Sequence, residues 1–187
     1  IGGGTYVAME NLGGELEIGR ISSTYANGKI SNLALYKTQL DAQTIKQFAK
    51  SRFTPMRDNR FSVVDFDGTD DYIDVGSDSS IDNIWTGGGT LTAWIYPRSD
   101  GEGDFGMIAV KRNGNTSGWF LATNDESSGV CDIRLRSARD TADGSWATTS
   151  REITLNEWNH IAVSYDSDSD SNNALIYVNG KSVAVTE

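Results

Sequence analysis

The sequence predicts an all-β protein: an antiparallel β-sandwich that carries one short helix. From Phe61 onward, short runs rich in Val, Ile, Tyr, Trp and Thr are bounded by clusters of Gly, Asn, Asp and Ser. Several of these runs alternate apolar and polar residues, which is the period of a strand. Twenty Gly and only two Pro suit many strands joined by tight turns, and five Trp supply bulky groups for a core.

The strand runs define which side chains share a face. The runs are "SVVDFDG", "DYIDVG", "TLTAWIYP", "GMIAVKR", "GWFLATN", "CDIRLRSA", "NHIAVSYD" and "ALIYVNG". Residues predicted to share one face of their strands are Leu91, Ala93 and Ile95 in one run, and Ile161, Val163 and Tyr165 in another. Asn179-Gly180 stands between two β-branched runs and predicts a hairpin turn.

The helix is expected at residues 41–50. Asp41 is a good N-cap, because its carboxylate accepts a hydrogen bond from a free N–H of the first turn. Ile45, Phe48 and Ala49 follow the i, i+3, i+4 spacing of one apolar stripe. We expect this helix to cover a sheet edge or a domain end, and a connection to follow it at residues 56–60.

Composition limits the partners. Sixteen basic against 26 acidic residues give a formal charge of −10, which argues against nucleic acid or an anionic membrane surface. No apolar run is long enough to span a membrane. Cys131 is the single cysteine, so an intrachain disulfide is excluded and a buried, inert thiol is expected.

The motifs argue against an enzyme. Glycosidases of similar architecture need paired carboxylates at alternate positions of one strand, and no E-x-D-x-E pattern occurs. His160 is the only histidine and lies within a strand pattern, where a structural role is expected. No nucleophile elbow or phosphate-binding loop is present.

Two segments carry a family resemblance. "VVDFDGTDDYIDVG", "GGTLTAWIYP", "EWNHIAVSYD" and "ALIYVNGK" resemble the first two-thirds of a laminin-G-like jelly-roll domain, a concanavalin A-like sandwich. "LEIGRISSTYANGKISNLALYKTQLDAQTIKQF" resembles the final third of the same family. The resemblance implies the fold; it does not imply one function, because the family serves adhesion, glycan binding and architecture.

The order of the segments is unusual, since residues 1–55 resemble the end of the domain and residues 61–187 its beginning. Three arrangements fit. The two pieces complete one permuted sandwich, or residues 1–55 complete a neighbouring copy by strand exchange. Alternatively, each piece belongs to a separate domain of a longer tandem array. An incomplete sandwich exposes unpaired edges, so residues 1–55 are expected to pair with something.

An acidic turn is a candidate calcium site. "DFDGTDDYID" gathers carboxylates at a turn, and hard oxygen ligands suit Ca²⁺. Related domains of the resembled family often carry calcium on the rim of the sandwich, which implies Asp70 and Asp71 as ligands here. The alternative is a turn whose Asp side chains cap backbone groups. The alternate aspartates Asp166, Asp168 and Asp170 are expected to form a solvated loop, because the EF-hand Gly and Glu are missing.

Glycan binding is expected to need exposed aromatic rings. Trp119 and Trp146 lie beside polar loops and are the candidates, with packing in the sandwich as the alternative. The sequence and the resemblance together predict a non-catalytic module of a larger extracellular, cell-surface or virion-surface protein, such as a bacterial adhesin or a phage structural protein. Its expected partner is a surface glycan or host receptor. The alternative is an architectural module that binds further domains or copies of itself.

Overall fold

A computed structural model describes residues 15–51, 63–78, 81, 84–113, 117–138, 144–169 and 171–187. Its elements in chain order are β1 (Leu16–Ile18), β2 (Arg20–Ile21), β3 (Thr24–Tyr25), β4 (Asn27–Tyr36), α1 (Ala42–Ser51), β5 (Val64–Asp67), β6 (Ile73–Asp74), β7 (Gly89–Pro97), β8 (Phe105–Asn113), β9 (Ser117–Ser127), β10 (Val130–Ala138), β11 (Gly144–Thr148), β12 (Ile153–Thr154), β13 (Asn159–Tyr165), β14 (Leu175–Val178), β15 (Lys181–Val183) and β16 (Val185–Thr186).

Two antiparallel sheets form the sandwich. In the described part of the chain the larger sheet has eight strands, in the order β16-β11-β10-β9-β8-β1-β6, with β12 pairing with β10. The smaller sheet has six strands, in the order β15-β14-β13-β7-β4-β5. Strands β2 and β3 form a separate two-stranded hairpin. The expectation of an antiparallel β-sandwich with one short helix is confirmed.

The main core lies between the two sheets. Leu91, Ala93 and Ile95 on β7 are buried in it, as are Ile161 and Val163 on β13. Tyr165 joins the same cluster, so all six residues predicted to share strand faces do so. Burial of large apolar side chains on one face of each sheet is the main force that holds the sheets together.

The first segment of the chain supplies strands to both sheets. β1 lies between β8 and β6 in the larger sheet, and β4 lies between β7 and β5 in the smaller sheet. Leu16, Ala26 and Ile30 from this segment enter the same core cluster as Phe66. In this structure the described part of the segment is therefore paired within its own chain. That residues 1–55 are the final third of the family's domain stays a prediction. The expected connection at residues 56–60 lies outside the described residues.

The helix α1 begins after the predicted cap. The Thr44 amide donates to Asp41 Oδ1 at 2.8 Å, and the Thr44 hydroxyl donates to Asp41 Oδ2 at 3.0 Å. These hydrogen bonds lower the pKa of Asp41 below its ordinary value, and the predicted N-cap is confirmed. Ile45 is fully buried against Ala162 and Tyr177, so the helix covers the outer face of the smaller sheet.

The predicted hairpin turn is also confirmed. Asn179 and Gly180 join β14 to β15, and their φ angles are 51° and 77°. Two successive positive φ angles define the turn type for which Asn-Gly is preferred. The Asn179 amide donates to the His160 carbonyl at 2.7 Å, and Asn179 Oδ1 accepts from the His160 amide at 2.9 Å. The turn is thereby tied to the neighbouring strand β13.

Candidate functional site

The outer face of the larger sheet carries a cluster of arginine, aromatic and amide side chains. We call it the arginine face, and its members are Arg112, Arg134, Arg136, Phe105, Phe120 and Asn124. Strand alternation sets their direction. On β10, Ile133 and Leu135 are fully buried in the core between the sheets, so Arg134 and Arg136 point to the opposite side.

Cross-strand register brings these side chains together. Arg134 stands opposite Ala122 of β9 and Ala147 of β11. Arg136 stands opposite Phe120 of β9 and Ser145 of β11. Directly opposed residues of an antiparallel pair are nearest neighbours on one face, so each arginine has a small side chain on its β11 side.

Asn124 belongs to the next row of the same face. It stands opposite Phe105 of β8 on one side and Asp132 of β10 on the other. Asp132 is largely buried, and its Oδ1 accepts a hydrogen bond from the Thr148 hydroxyl at 2.8 Å. This carboxylate is thus already engaged within the sheet.

A second apolar cluster forms the floor of the arginine face. Met107, Val110, Phe120 and Ala122 are buried there, and Ile21 of the β2–β3 hairpin packs against them. The hairpin therefore lies along β8 and closes one side of the face. Arg134, Arg136, Ser145 and Ala147, farther from the hairpin, are only half-buried.

Two guanidinium groups lie over aromatic rings. The Arg134 Cζ atom is 5.8 Å from the centre of the Phe105 ring, and the Arg112 Cζ atom is 5.7 Å from the centre of the Phe120 ring. Contacts at this distance are attractive and hold the planar groups against the sheet. The rings thus restrict where the two positive charges lie.

Two polar atoms of this face are buried and have no hydrogen-bond partner among the described residues: Asn124 Oδ1, an acceptor, and Arg134 Nε, a donor. A buried polar group without a partner costs about 1–3 kcal/mol. Native proteins satisfy the great majority of such groups. Among the described residues this face shares that feature with others, since His160 Nδ1 on the smaller sheet is also buried without a partner.

The acidic turn of residues 67–74 uses its carboxylates for backbone groups. Asp67 Oδ1 accepts from the Thr69 amide at 2.8 Å, and Asp71 Oδ2 accepts from the Asp67 amide at 3.1 Å. Asp70 and Asp71 are exposed, and the described residues bring together no group of three or more carboxylate, His or Cys ligands. This donor set does not fit Ca²⁺, which takes six to eight oxygen ligands. The geometry favours the alternative, a capped turn, and calcium at Asp70 and Asp71 stays a prediction.

Other acidic segments are engaged in the same way. Asp166 Oδ1 accepts from the Asp168 amide at 2.9 Å, and Asp168 Oδ1 accepts from the Gly87 amide at 3.0 Å. The loop after β13 is therefore fixed to the turn before β7. Asp170 lies outside the described residues. Asp100 Oδ2 accepts from the Glu126 amide at 2.9 Å.

The two tryptophans expected to bind glycan lie in the core. Trp119 is 1% exposed and packs edge-on against Trp85 at 5.4 Å between ring centres. Trp146 is fully buried, 4.6 Å from the Tyr165 ring, and its Nε1 donates to Asn173 Oδ1 at 3.1 Å. Neither ring offers a face to a sugar. The packing alternative describes both residues, and the stacking role does not belong to them.

The residues most often used in catalysis are buried elsewhere. His160 lies edge-on against Trp94 on the smaller sheet, 5.2 Å between ring centres, and burial lowers its pKa to about 4. Cys131 is fully buried in the core, and burial raises the pKa of its thiol to about 12. The expected inert thiol is confirmed, because the reactive thiolate is disfavoured. The expected structural position of His160 is confirmed as well.

The arginine face was missed in the sequence, although a signal was present. "CDIRLRS" alternates aspartate and arginine with isoleucine and leucine, which places both arginines on one face of a strand. To add Asn124 and the two phenylalanines, one must know which strands pair with β10 and β9 and in which register. That information lies in the sheet order and not in any one strand.

The fold and this face define a two-sheet antiparallel jelly-roll module with a helix on one outer face and a polar, cationic surface on the other. The chain belongs to the concanavalin A-like lectin/glucanases superfamily, since the laminin G model of that superfamily matches residues 67–187. The resemblance stated from the sequence is thereby confirmed. No curated protein and no solved structure is significantly similar to the chain. No helix of the described residues is long and apolar enough to cross a membrane.

Proposed function

We propose that this domain is a non-catalytic recognition module that binds a glycan on the arginine face. The proposal keeps the adhesion or glycan-binding function expected from the sequence and moves the ligand surface away from the two tryptophans. The observation that carries it is a half-buried outer face on which two guanidinium groups lie over phenylalanine rings.

The chemistry of this face suits a sugar. Hydroxyl groups accept hydrogen bonds, so a sugar supplies acceptors for the N–H groups of a half-buried guanidinium such as that of Arg134. The aliphatic and aromatic floor offers apolar surface to the C–H groups of a sugar ring. The small side chains of Ala147 and Ser145 leave space beside the arginines. Family membership adds support, because lectins are part of the matched superfamily.

The setting we propose is the outside of a cell or virion, as part of a larger protein. Laminin G-type domains are typically extracellular, and a module without disulfides and with a net charge of −10 remains soluble there. A host-surface receptor that carries the glycan is then the natural partner.

A glycan array tests the proposed function. The full 187-residue chain is labelled and applied with two variants, Arg134→Ala and Trp158→Ala. Trp158 is a half-buried aromatic residue just before β13 of the smaller sheet, and its ring centre lies 5.6 Å from that of Tyr96. We expect binding that Arg134→Ala abolishes and Trp158→Ala preserves. Absence of binding to every glycan, or equal loss in both variants while both remain folded, would sink the proposal.

The second candidate is an architectural module that assembles by exchanging strands. One observation favours it: β1 and β4 both occupy interior positions of their sheets and both come from the segment before residue 52. The same strands from a neighbouring copy would complete the sandwich equally well. Light scattering at several concentrations tests this candidate. A single-chain mass at every concentration excludes exchange, and a defined oligomer that dissociates only on unfolding supports it.

A further inference from the structure

We propose that the side of the sandwich formed by β5 and β6 docks an extended cationic segment of a partner protein, which adds to β5 as a further strand. We call this surface, residues 63–78, the acidic edge. Among the described residues β5 is the last strand of the smaller sheet and β6 the last strand of the larger sheet. The successive strands β15 and β16 end the same two sheets on the other side, so β5 and β6 lie on one side together. The proposal does not depend on glycan binding at the arginine face.

Apolar side chains are exposed at the acidic edge. Val63, Val64, Tyr72 and Val75 are 41%, 38%, 44% and 49% exposed. In the described part of the chain, Leu175 is the only other exposed large hydrophobic residue. The exposed apolar surface is thus concentrated at one edge, as is typical of a surface that meets a partner.

The backbone of β5 directs hydrogen-bonding groups toward the open side. Asn27 of β4 stands opposite Asp67, and the Asn27 carbonyl accepts from the Arg98 amide at 2.8 Å, on the β7 side. Asn27 and Asp67 are therefore not hydrogen-bonded to each other, and the backbone groups of Asp67 point away from β4. By alternation, those of Asp65 and Val63 point the same way. A strand added on this side pairs with them.

The open part of this edge is short. The Asp67 amide donates to Asp71 Oδ2 at 3.1 Å, which caps one end. The described residues supply no partner for the outward backbone groups of Asp65 and Val63. An added strand makes few hydrogen bonds over this length, so its affinity also depends on apolar contact and on charge.

The charge of the edge selects a cationic partner. Residues 63–78 contain six aspartates and no lysine or arginine. Asp65 is paired with Lys29 at 3.2 Å and with Arg98 at 2.7 Å. Four exposed aspartates have no ion pair with any described residue: Asp67, Asp70, Asp71 and Asp74. These charges repel the same edge of a second copy and attract a strand that carries lysine or arginine.

The two faces of β5 define the pattern of the partner. Phe66 is fully buried in the core, so alternation places Val64 on the core side and Asp65 and Asp67 on the outer side. Side chains of an added strand alternate in the same way. Its aliphatic residues extend the core beyond Val64, and its cationic residues lie beside the two aspartates. The occupant is therefore an extended segment in which lysine or arginine alternates with an aliphatic residue.

A synthetic peptide tests the proposal by calorimetric titration of the full 187-residue chain. The probe is acetyl-Lys-Val-Lys-Val-Lys-Val-Lys-amide. One control peptide has Glu in place of every Lys, and the other has Pro in place of every Val, which keeps the charge and prevents strand pairing. We expect the lysine–valine peptide to bind at least about tenfold more tightly than either control. Its affinity should fall as NaCl rises from about 50 to about 500 mM, because the charges are screened.

Three variants and one exchange measurement separate the contributions. Val63→Pro removes an outward amide and keeps the pairing of β4 with β5, so it should weaken binding about tenfold. Asp70→Asn removes one charge from the edge and should weaken binding about two- to threefold. Glu187→Gln, the matched control, removes one charge beyond β16 at the opposite side of the sandwich and should change nothing. In amide hydrogen exchange, the bound peptide should slow the outward amide of Asp65.

Several outcomes would overturn the proposal. Equal binding of the lysine–proline peptide would exclude strand addition, and so would unchanged exchange at Asp65, which decides the matter even if Val63→Pro unfolds the domain. No binding of the lysine–valine peptide would exclude the partner class. A dimer that blocks the peptide would assign the edge to a second copy. Binding only after Arg57→Gln and Arg60→Gln would assign it to residues 52–62 of the same chain. None of these outcomes bears on the glycan array.

Discussion

The single histidine gives the fold a pH-dependent stability that can be measured without ambiguity. His160 is 2% exposed, lies against Trp94, and has a ring nitrogen, Nδ1, without a hydrogen-bond partner among the described residues. Burial lowers its pKa from 6.5 to about 4. The folded state therefore holds His160 neutral at pH values where the unfolded chain binds a proton.

The sign and size of the effect follow from linkage. Because the folded pKa is the lower one, the unfolded state binds more protons between pH 6.5 and 4, and stability falls as the pH falls through this window. With an unfolded pKa of 6.5 and a folded pKa of about 4, the free energy of unfolding drops by about 2 kcal/mol between pH 7.5 and pH 5. Asp41 and Asp65 have lowered pKa values, but carboxylates titrate mostly below this range.

The perturbation is His160→Gln, which removes the titrating ring and keeps a polar side chain. Urea unfolding of both proteins at pH 7.5 and pH 5 gives four free energies. We expect the native protein to lose about 2 kcal/mol more than the variant over this interval, whatever the absolute cost of the substitution. The shared loss from carboxylates cancels in this difference.

Two results would refute the reasoning. Equal losses in the native protein and the variant would mean that His160 has the same pKa in the folded and unfolded chain. A direct reading comes from the imidazole Cε1–H signal in an NMR titration, which needs no assignment because the chain has one histidine. A midpoint near 6.5 in the folded protein would contradict the burial described for this residue.

Three further predictions concern the packing of the first segment, the helix cap and calcium. Gly19 and Gly129 have φ angles of 88° and 83°, but a Cβ at Gly19 would meet the Phe66 ring, whereas nothing lies within 4 Å of one at Gly129. In urea unfolding, Gly19→Ala should therefore cost about 1–3 kcal/mol more than Gly129→Ala, and equal costs would mean that β1 and β5 do not pack as described. In a thermal melt, Asp41→Ala should lower the melting temperature by about 2–4 °C. Asp41→Asn should lower it by much less, because the side-chain acceptor of the cap remains. For calcium, addition of millimolar CaCl₂ or of a chelator should leave the melting temperature unchanged, and a rise of several degrees with CaCl₂ would restore the acidic turn of residues 67–74 as a metal site.

Much of the fold was predictable because its caps, turns and strand patterns depend on residues that are close together in the sequence. The N-cap at Asp41 and the Asn179-Gly180 turn depend on a few neighbouring residues, and the structure contains both. The strands β7 and β13 are buried on both faces, but their large aliphatic residues recur at every second position on the core side, so period-two analysis assigned their core residues correctly. The family resemblance rested on the same local motifs, and the match to residues 67–187 bears it out.

The arginine face was less predictable because β9 is apolar on both faces. Trp119 and Leu121 face the core between the sheets, while Phe120 and Ala122 face the floor under the β2–β3 hairpin. A strand covered on both faces loses its polar alternation, so the sequence could not tell which aromatic residue lies inside. Nearness to polar loops suggested exposure of Trp119, but the sheet order decides its burial.

The unusual segment order has a consequence for where a ligand can bind. The chain before residue 52 supplies the helix that covers the outer face of the smaller sheet, through Ile45 on Ala162 and Tyr177. The same segment supplies the hairpin that lies along β8 of the larger sheet, through Ile21. Among the described residues, α1 thus packs on one outer face and the hairpin packs along one side of the other. Because protein contacts occupy these two areas, the half-buried residues of β10 and β11 are the part of the larger sheet on which we place the proposed ligand surface.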